Sequence, residues 1–139
     1  MKKFAAPLFA AALFVLPAAL HAQVIVIANP GVKATEVSKA DIKEVFTGNA
    51  TTLKDGSRVV PILLNEGTAN EEFLKVYIGK SDSAYRATRR SLVFSGAAMM
   101  PKTLEGDAAV VAFVMAHTGA IGYIDKESPH AGVKVLTVK

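Results

Sequence analysis

Residues 24–28 read VIVIA, five apolar positions of which four are β-branched, followed at once by Asn29-Pro30-Gly31. A strand that alternates apolar with polar residues can leave one face in water, but this one cannot. Any sheet that contains it must be covered on both sides. The turn formers at 29–31 end the strand and send the chain elsewhere.

The rest of the chain supplies the cover. Ser38-Lys39-Ala40-Asp41 has capping-box spacing ahead of a short helix carrying Ile42, Val45 and Phe46, which Gly48 stops. TTLKDGS (51–57) is turn material, and VVPILL (59–64) predicts a second strand. Pro61 has no N–H to give a ladder, which asks for an edge position or a bulge. Thr68 to Glu71 repeats the capping box with Thr68 as cap, and Phe73, Val76 and Tyr77 then recur at helical spacing up to Gly79. Ser81 or Ser83 caps a further helix, with Tyr85, Thr88 and Leu92 on one face and Arg86, Arg89 and Arg90 on the other. MMP (99–101) opens a loop. A Val-rich helix (Val110, Val111, Val114) runs from about Asp107 to His117 and is closed by Gly119, which suits a left-handed position. AIGYI (120–124) and VKVLTV (133–138) are the last strands. Strands alternating with helices predict an α/β fold, a three-layer-like sandwich whose mixed, mostly parallel sheet is covered by helices.

The first 22 residues do not belong to that pattern. MKKFAAPLFAAALFVLPAALHA has two lysines, an apolar stretch from Phe4 to Leu16, the helix breaker Pro17 and a small residue, Ala22, at the expected cut. The apolar run is shorter than the roughly 20 residues of a spanning helix, so the segment reads as a cleavable secretory signal peptide and 23–139 as a single domain. No second run of spanning length follows, so a soluble, exported chain is expected, with no membrane span after cleavage. The chain has no Cys, so no disulfide holds the fold and no lipid can be attached through one. Losing Lys2 and Lys3 halves the formal net charge of +4, too little to argue for nucleic acid or a membrane surface.

The chemistry of catalysis is missing. Beyond the signal segment stand only His117 and His130, and neither has metal-ligand spacing with another His or a Cys. His117 falls in the last turn of its helix, where an imidazole favours the free carbonyls and the negative dipole end; His130 reads as a solvent-facing loop residue. No nucleophile elbow, Walker loop or dinucleotide turn is present, so no catalytic residue, metal or cofactor is expected. Glu66, Glu71 and Glu72 crowd a helix start, where acids offset the positive dipole end. Arg86, Arg89 and Arg90 read as a solvated face open to a protein partner. Asn49-Ala50-Thr51 matches a glycosylation acceptor, of consequence only in a secretory system that glycosylates. The best ligand candidate is the 64–68 loop: a strand, then Gly67, then a helix start offers free amides and a positive dipole end to an anion. The same residues also suffice for a plain helix cap.

Three stretches give the chain a resemblance to a known family. SKADIKEVFTGNATTLKDGSRVVPI, EGTANEEF and VVAFVMAHTGAIGYI, with FSG (94–96) between the last two, resemble in order and spacing the phosphate ABC transporter substrate-binding proteins of the type II periplasmic binding protein class, and especially their short single-domain relatives. The resemblance implies a fold like one lobe of those proteins, a periplasmic location, no enzymatic activity, and a small oxyanion such as phosphate as ligand. Gly67 and Thr68 match the Gly and Thr of the family's Ser-Gly-Thr phosphate loop. Asn65 beside them and Asn29 after the first strand complete the expected ligand set. Glu66 stands where the motif has Ser, and no Arg precedes the loop in Ile62–Asn65, so the implied binding is weak. An ABC transporter or another envelope protein is the implied partner. The alternative is a ligand-free interaction module of the cell envelope that uses the same fold.

Overall fold

The structure is a computed structural model that describes residues 23–97 and 101–139. The expected signal peptide and the Met99-Met100 start of the expected loop lie outside the described residues. Six strands form one sheet: β1 (Val24–Ala28), β2 (Glu36–Val37), β3 (Val60–Leu64), β4 (Lys102–Leu104), β5 (Ala120–Asp125) and β6 (Lys134–Val138). Their spatial order is β2-β6-β1-β5-β3-β4. The pairs β2–β6, β3–β4 and β3–β5 are parallel, while β1 runs antiparallel to both neighbours, β5 and β6. Around the sheet lie α1 (Lys39–Phe46), α2 (Thr68–Phe73), α3 (Asp82–Phe94) and α4 (Asp107–Ala116). The fold is the expected α/β sandwich with a mixed, mostly parallel sheet.

The VIVIA strand behaves as its composition requires. Val26 and Ile27 point to opposite faces, and both are buried. On one face α4 packs Val110 and Val114 against β5, so closely that a Cβ on Gly122 would stand 2.9 Å from Val110 Cγ1. On the other face an aromatic cluster joins the sheet to α1 and α2. The ring of Phe73 stacks on Tyr123 at 3.8 Å between centroids, and Phe46 meets both edge-on. Such pairs add about 0.5–1.5 kcal/mol each beyond the area they bury.

Several local expectations are corrected. Pro61 sits in neither a bulge nor an edge strand, because β4 lies outside β3. Val60 donates its amide to Gly119 on the β5 side at 2.8 Å, so the nitrogen of Pro61 faces the other way, and β4 begins only opposite Ile62. The proline occupies the one stretch of β3 where an N–H on that side has no strand to meet. The caps of α1 and α3 are Ser38 and Ser81, whose hydroxyls accept from the amides of Asp41 and Ala84. At α2, however, Gly67 is the cap, at φ 103°, and Thr68 is already helical, so no side chain caps that helix. After Phe73 the helix widens into a π-helical turn, Leu74–Ile78, with Gly79 donating back to Leu74 at 2.7 Å. The extra residue in that turn rotates the inward stripe: Leu74 and Ile78 are buried, whereas Val76 is 45% exposed. β2 and β4, at the two edges of the sheet, had no sequence expectation; strands of two and three residues are too short to show a period.

Candidate functional site

The 64–68 loop leaves β3 at its C-terminal end, and Asn65, Glu66, Gly67 and Thr68 are all exposed. Directly beneath them runs a chain of polar side chains linking four elements. The Tyr123 hydroxyl, on β5, accepts from the Leu64 amide at 3.2 Å and donates to Asn70 Oδ1 at 2.5 Å. Asn70 Nδ2, in the first turn of α2, donates to Asp82 Oδ1 at 2.7 Å. Asp82, in the first turn of α3, takes the Arg86 Nε proton on its other oxygen at 2.9 Å. Arg86 Nη2 closes the circuit on the loop itself, donating to the carbonyls of Asn65 at 2.7 Å and Leu64 at 3.3 Å. Tyr123 and Asn70 are almost wholly buried, at 0% and 2% exposure. At Tyr123 and Asn70 the hydrogen bonds therefore replace ones that water cannot make there, while the Asp82–Arg86 end of the chain is partly open to solvent.

The electrostatics follow from burial. Desolvation pushes the Tyr123 hydroxyl far above its ordinary value, so it is a neutral donor to Asn70 throughout the physiological range. Burial also pulls Asp82 upward, but the hydrogen bonds from Arg86 and Asn70 outweigh it and leave the carboxyl below its ordinary value of 3.8. A carboxyl lowered on folding favours the folded state above the unfolded value, and that contribution is lost as pH falls through the folded value. The protein is therefore expected to lose stability below pH 3.8, and Asp82→Asn to flatten that part of a melting-temperature profile against pH. An unchanged acid limb in the variant would show that Asp82 is not the group responsible.

The loop offers an anion the amides of the α2 first turn, which no side chain caps. Gly67 is held at positive φ, and no heavy atom lies within 4 Å of where a Cβ would be, so its outer side is open to a ligand. Against this, the carboxylate of Glu66 lies in the loop. Asn29 is not part of the arrangement. Because β1 is antiparallel to β5 and β3 is parallel to it, the C-terminal ends of β1 and β3 lie at opposite ends of the sheet. The Asn29 amide there donates to the carbonyls of Val114 and Met115 at 2.9 and 3.2 Å, ending α4, while its oxygen accepts from Gly31 at 2.9 Å. Its expected place in the ligand set is corrected to that of a helix-ending residue. The arginine face is divided too: Arg86 turns to the loop, Arg89 is buried at 5% exposure, and Arg90 is exposed.

No family model matches the chain, and no curated protein matches it in sequence. Solved structures do match in shape. An ABC-type phosphate transport receptor from Vibrio cholerae superposes with a TM-score of 0.61 at 14% identity over 83% of this chain and 45% of the receptor. A putative phosphate ABC transporter substrate-binding protein from Clostridium perfringens, solved with bound phosphate, gives 0.62 at 16% identity over 83% and 44%. A possible phosphate binding protein from Planctomyces limnophilus gives 0.58 at 12% over 84% and 41%. The chain shares the fold of the matched part of these receptors. It spans less than half the length of these receptors.

The structure sets Asn65, Gly67 and Thr68 together in the exposed loop and places Asn70, Asp82 and Tyr123, for which there was no expectation, beneath it. Asn70 and Tyr123 both stand inside motifs that were read, yet only their burial shows that they carry the loop. His117 takes the role its position suggested, with Nδ1 2.9 Å from the Phe113 carbonyl and its ring stacked on that residue. His130 is half-buried and meets the Ser128 carbonyl at 2.7 Å, not solvent alone. Among the described residues no group of three or more His, Asp and Glu side chains could hold a metal ion, and no helix is long and apolar enough to cross a membrane.

Proposed function

We propose that this chain is an exported, non-enzymatic solute-binding-like protein, delivered to the periplasm by a cleaved segment 1–22, in which 23–139 folds as one domain. Its 65–68 loop binds phosphate or a similar small oxyanion weakly. The observation that carries this reading is the uncapped first turn of α2 above a buried polar chain: its amides are free for a ligand, and Arg86 holds the loop by its carbonyls. Amides fixed in advance bind an anion without an ordering cost. The guanidinium also brings positive charge to the loop from α3, where the family motif has an Arg in the preceding strand. Asn65, Gly67 and Thr68 form the seat, and an ABC transporter or another envelope protein is the partner.

Glu66 limits the affinity. A carboxylate roughly 4 Å from a bound anion costs about 1 kcal/mol even in water. Glu66→Ser is therefore expected to tighten phosphate binding about three- to tenfold in calorimetry, with a matching rise in melting temperature. An identical titration for the variant and the parent protein would refute the loop as the seat.

One observation favours a second reading, an interaction module that binds no solute. The outward face of α4, formed by Ala108, Ala109, Ala112, Met115 and Ala116, is exposed and carries no charge. Calorimetric silence of the parent protein with phosphate and sulfate would favour that reading over the first.

A further inference from the structure

α3 buries two of its side chains, Tyr85 and Arg89, one helical turn apart. A helix that turned two leucines inward would close down on the sheet. α3 turns a tyrosine, whose hydroxyl donates to the Phe46 carbonyl, and an arginine. A cleft of about 110 Å³ remains between the helix and strands β3 and β4. Arg86, Arg89 and Arg90 wall it, and Tyr85, Leu63 and Thr103 help to close it.

The charge in this cleft is one-sided. None of the chain's 12 carboxylates lines it, and the undescribed residues contain no acid. Asp82 meets Arg86 on the loop side. The same cations reach Tyr85: burial pushes its hydroxyl up to about 12, and the guanidinium of Arg89, then that of Arg86, acts in the opposite direction. Asp82 offsets Arg86, so Arg89 and Arg90 carry the excess positive charge of this small, partly enclosed space, and their repulsion is relieved when an anion enters. Guanidinium is the group best matched to such a guest, because its planar fork gives paired, charge-assisted hydrogen bonds to neighbouring oxygens. At about 30 Å³ for each water, the cleft has room for three to four waters, enough to seat one tetrahedral ion.

We propose that the α3 cleft is a second anion site, separate from the 65–68 loop, which takes one small tetrahedral oxyanion between Arg89 and Arg90 with Arg86 at its mouth. Phosphate and sulfate share the chemistry that would be recognised. This site does not depend on the reading of the loop, and the two fail separately.

The test follows backbone amide NMR shifts of the full chain through titrations with inorganic phosphate and with sulfate, at low and at 0.5 M chloride. Saturable shifts at Leu63, Thr103 and the α3 amides are expected for both ions. Arg90→Gln should weaken that response at least about fivefold. Arg90 is exposed, so the fold does not depend on it. Arg89→Lys, which keeps the charge but loses the fork, should weaken it as well. Shifts confined to Gly67–Asn70 would overturn the cleft while supporting the loop, and shifts confined to α3 would do the reverse. Shifts at neither place would overturn both. An α3 response that either arginine variant leaves unchanged, or that vanishes in chloride without saturating, would also overturn the cleft as a specific site.

Discussion

Replacing Phe73 by alanine is expected to destabilise the protein by about 3–5 kcal/mol, a large share of the 5–15 kcal/mol that holds a typical folded chain together. Phe73 is fully buried, its ring lies parallel to Tyr123, and it also packs against Phe46 and Tyr77. Truncation removes the transfer free energy of the ring, leaves a cavity, and takes away the platform that holds Tyr123 beneath the ligand loop. Val76→Ala supplies the contrast. A regular helix would place Val76 on the same inward stripe, but the π-helical turn puts it in water, so its loss should cost within about 0.5 kcal/mol. Denaturant unfolding of the two variants decides the matter. Comparable losses would mean that the helix continues in register past Phe73.

Asn70→Ala is expected to cost about 2–4 kcal/mol, a larger loss than deleting one hydrogen bond at the surface. Asn70 uses both ends of its amide, accepting from Tyr123 and donating to Asp82, at 2% exposure. Without it the Tyr123 hydroxyl keeps a proton with no acceptor, and Asp82 loses one of the two donors that favour its charged form. The buried Tyr123 hydroxyl stranded in this way costs about 1–3 kcal/mol, and Asp82, which is partly exposed and keeps Arg86, adds less. The variant should also weaken any anion response at Gly67 and Thr68, because α2 is then no longer tied to α3 and the loop carbonyls are no longer held in register with its amides. Asn70→Asp separates packing from hydrogen bonding. It keeps the shape, but it can no longer donate to Asp82 and sets two carboxylates together, so it should be about as damaging as alanine at neutral pH and less so in acid. A urea midpoint within error of the parent for both variants would show that the polar chain contributes nothing to stability.

What could be read from the residues was whatever short-range chemistry dictates. VIVIA demanded a sheet covered on both faces, Ser38 and a serine at 81 or 83 announced two helix starts, and Gly67-Thr68 marked the strand-to-helix loop. These features are legible because each depends on a local rule: β-branching, hydroxyl capping, or positive φ at glycine. The reading went astray where the outcome depended on a partner distant in sequence. Thr68 looked like a cap and proved to be the first helical residue. Three arginines at one helical spacing looked like a single face and came to lie in three environments. Asn29 looked available to a ligand, until the antiparallel run of β1 carried it to the far end of the sheet.

The sequence by itself determined the longer strands and the helix starts, the double-sided core and the presence of a Gly-Thr loop after β3, because periodicity and capping are properties of neighbours. Only the tertiary structure decided that Tyr123, Asn70, Asp82 and Arg86, from β5, α2 and α3, form one polar chain beneath that loop. The residues at its two ends stand 37 positions apart, and no local rule links them. What joins them is the energetic demand that a hydroxyl and an amide shut away from water must find each other.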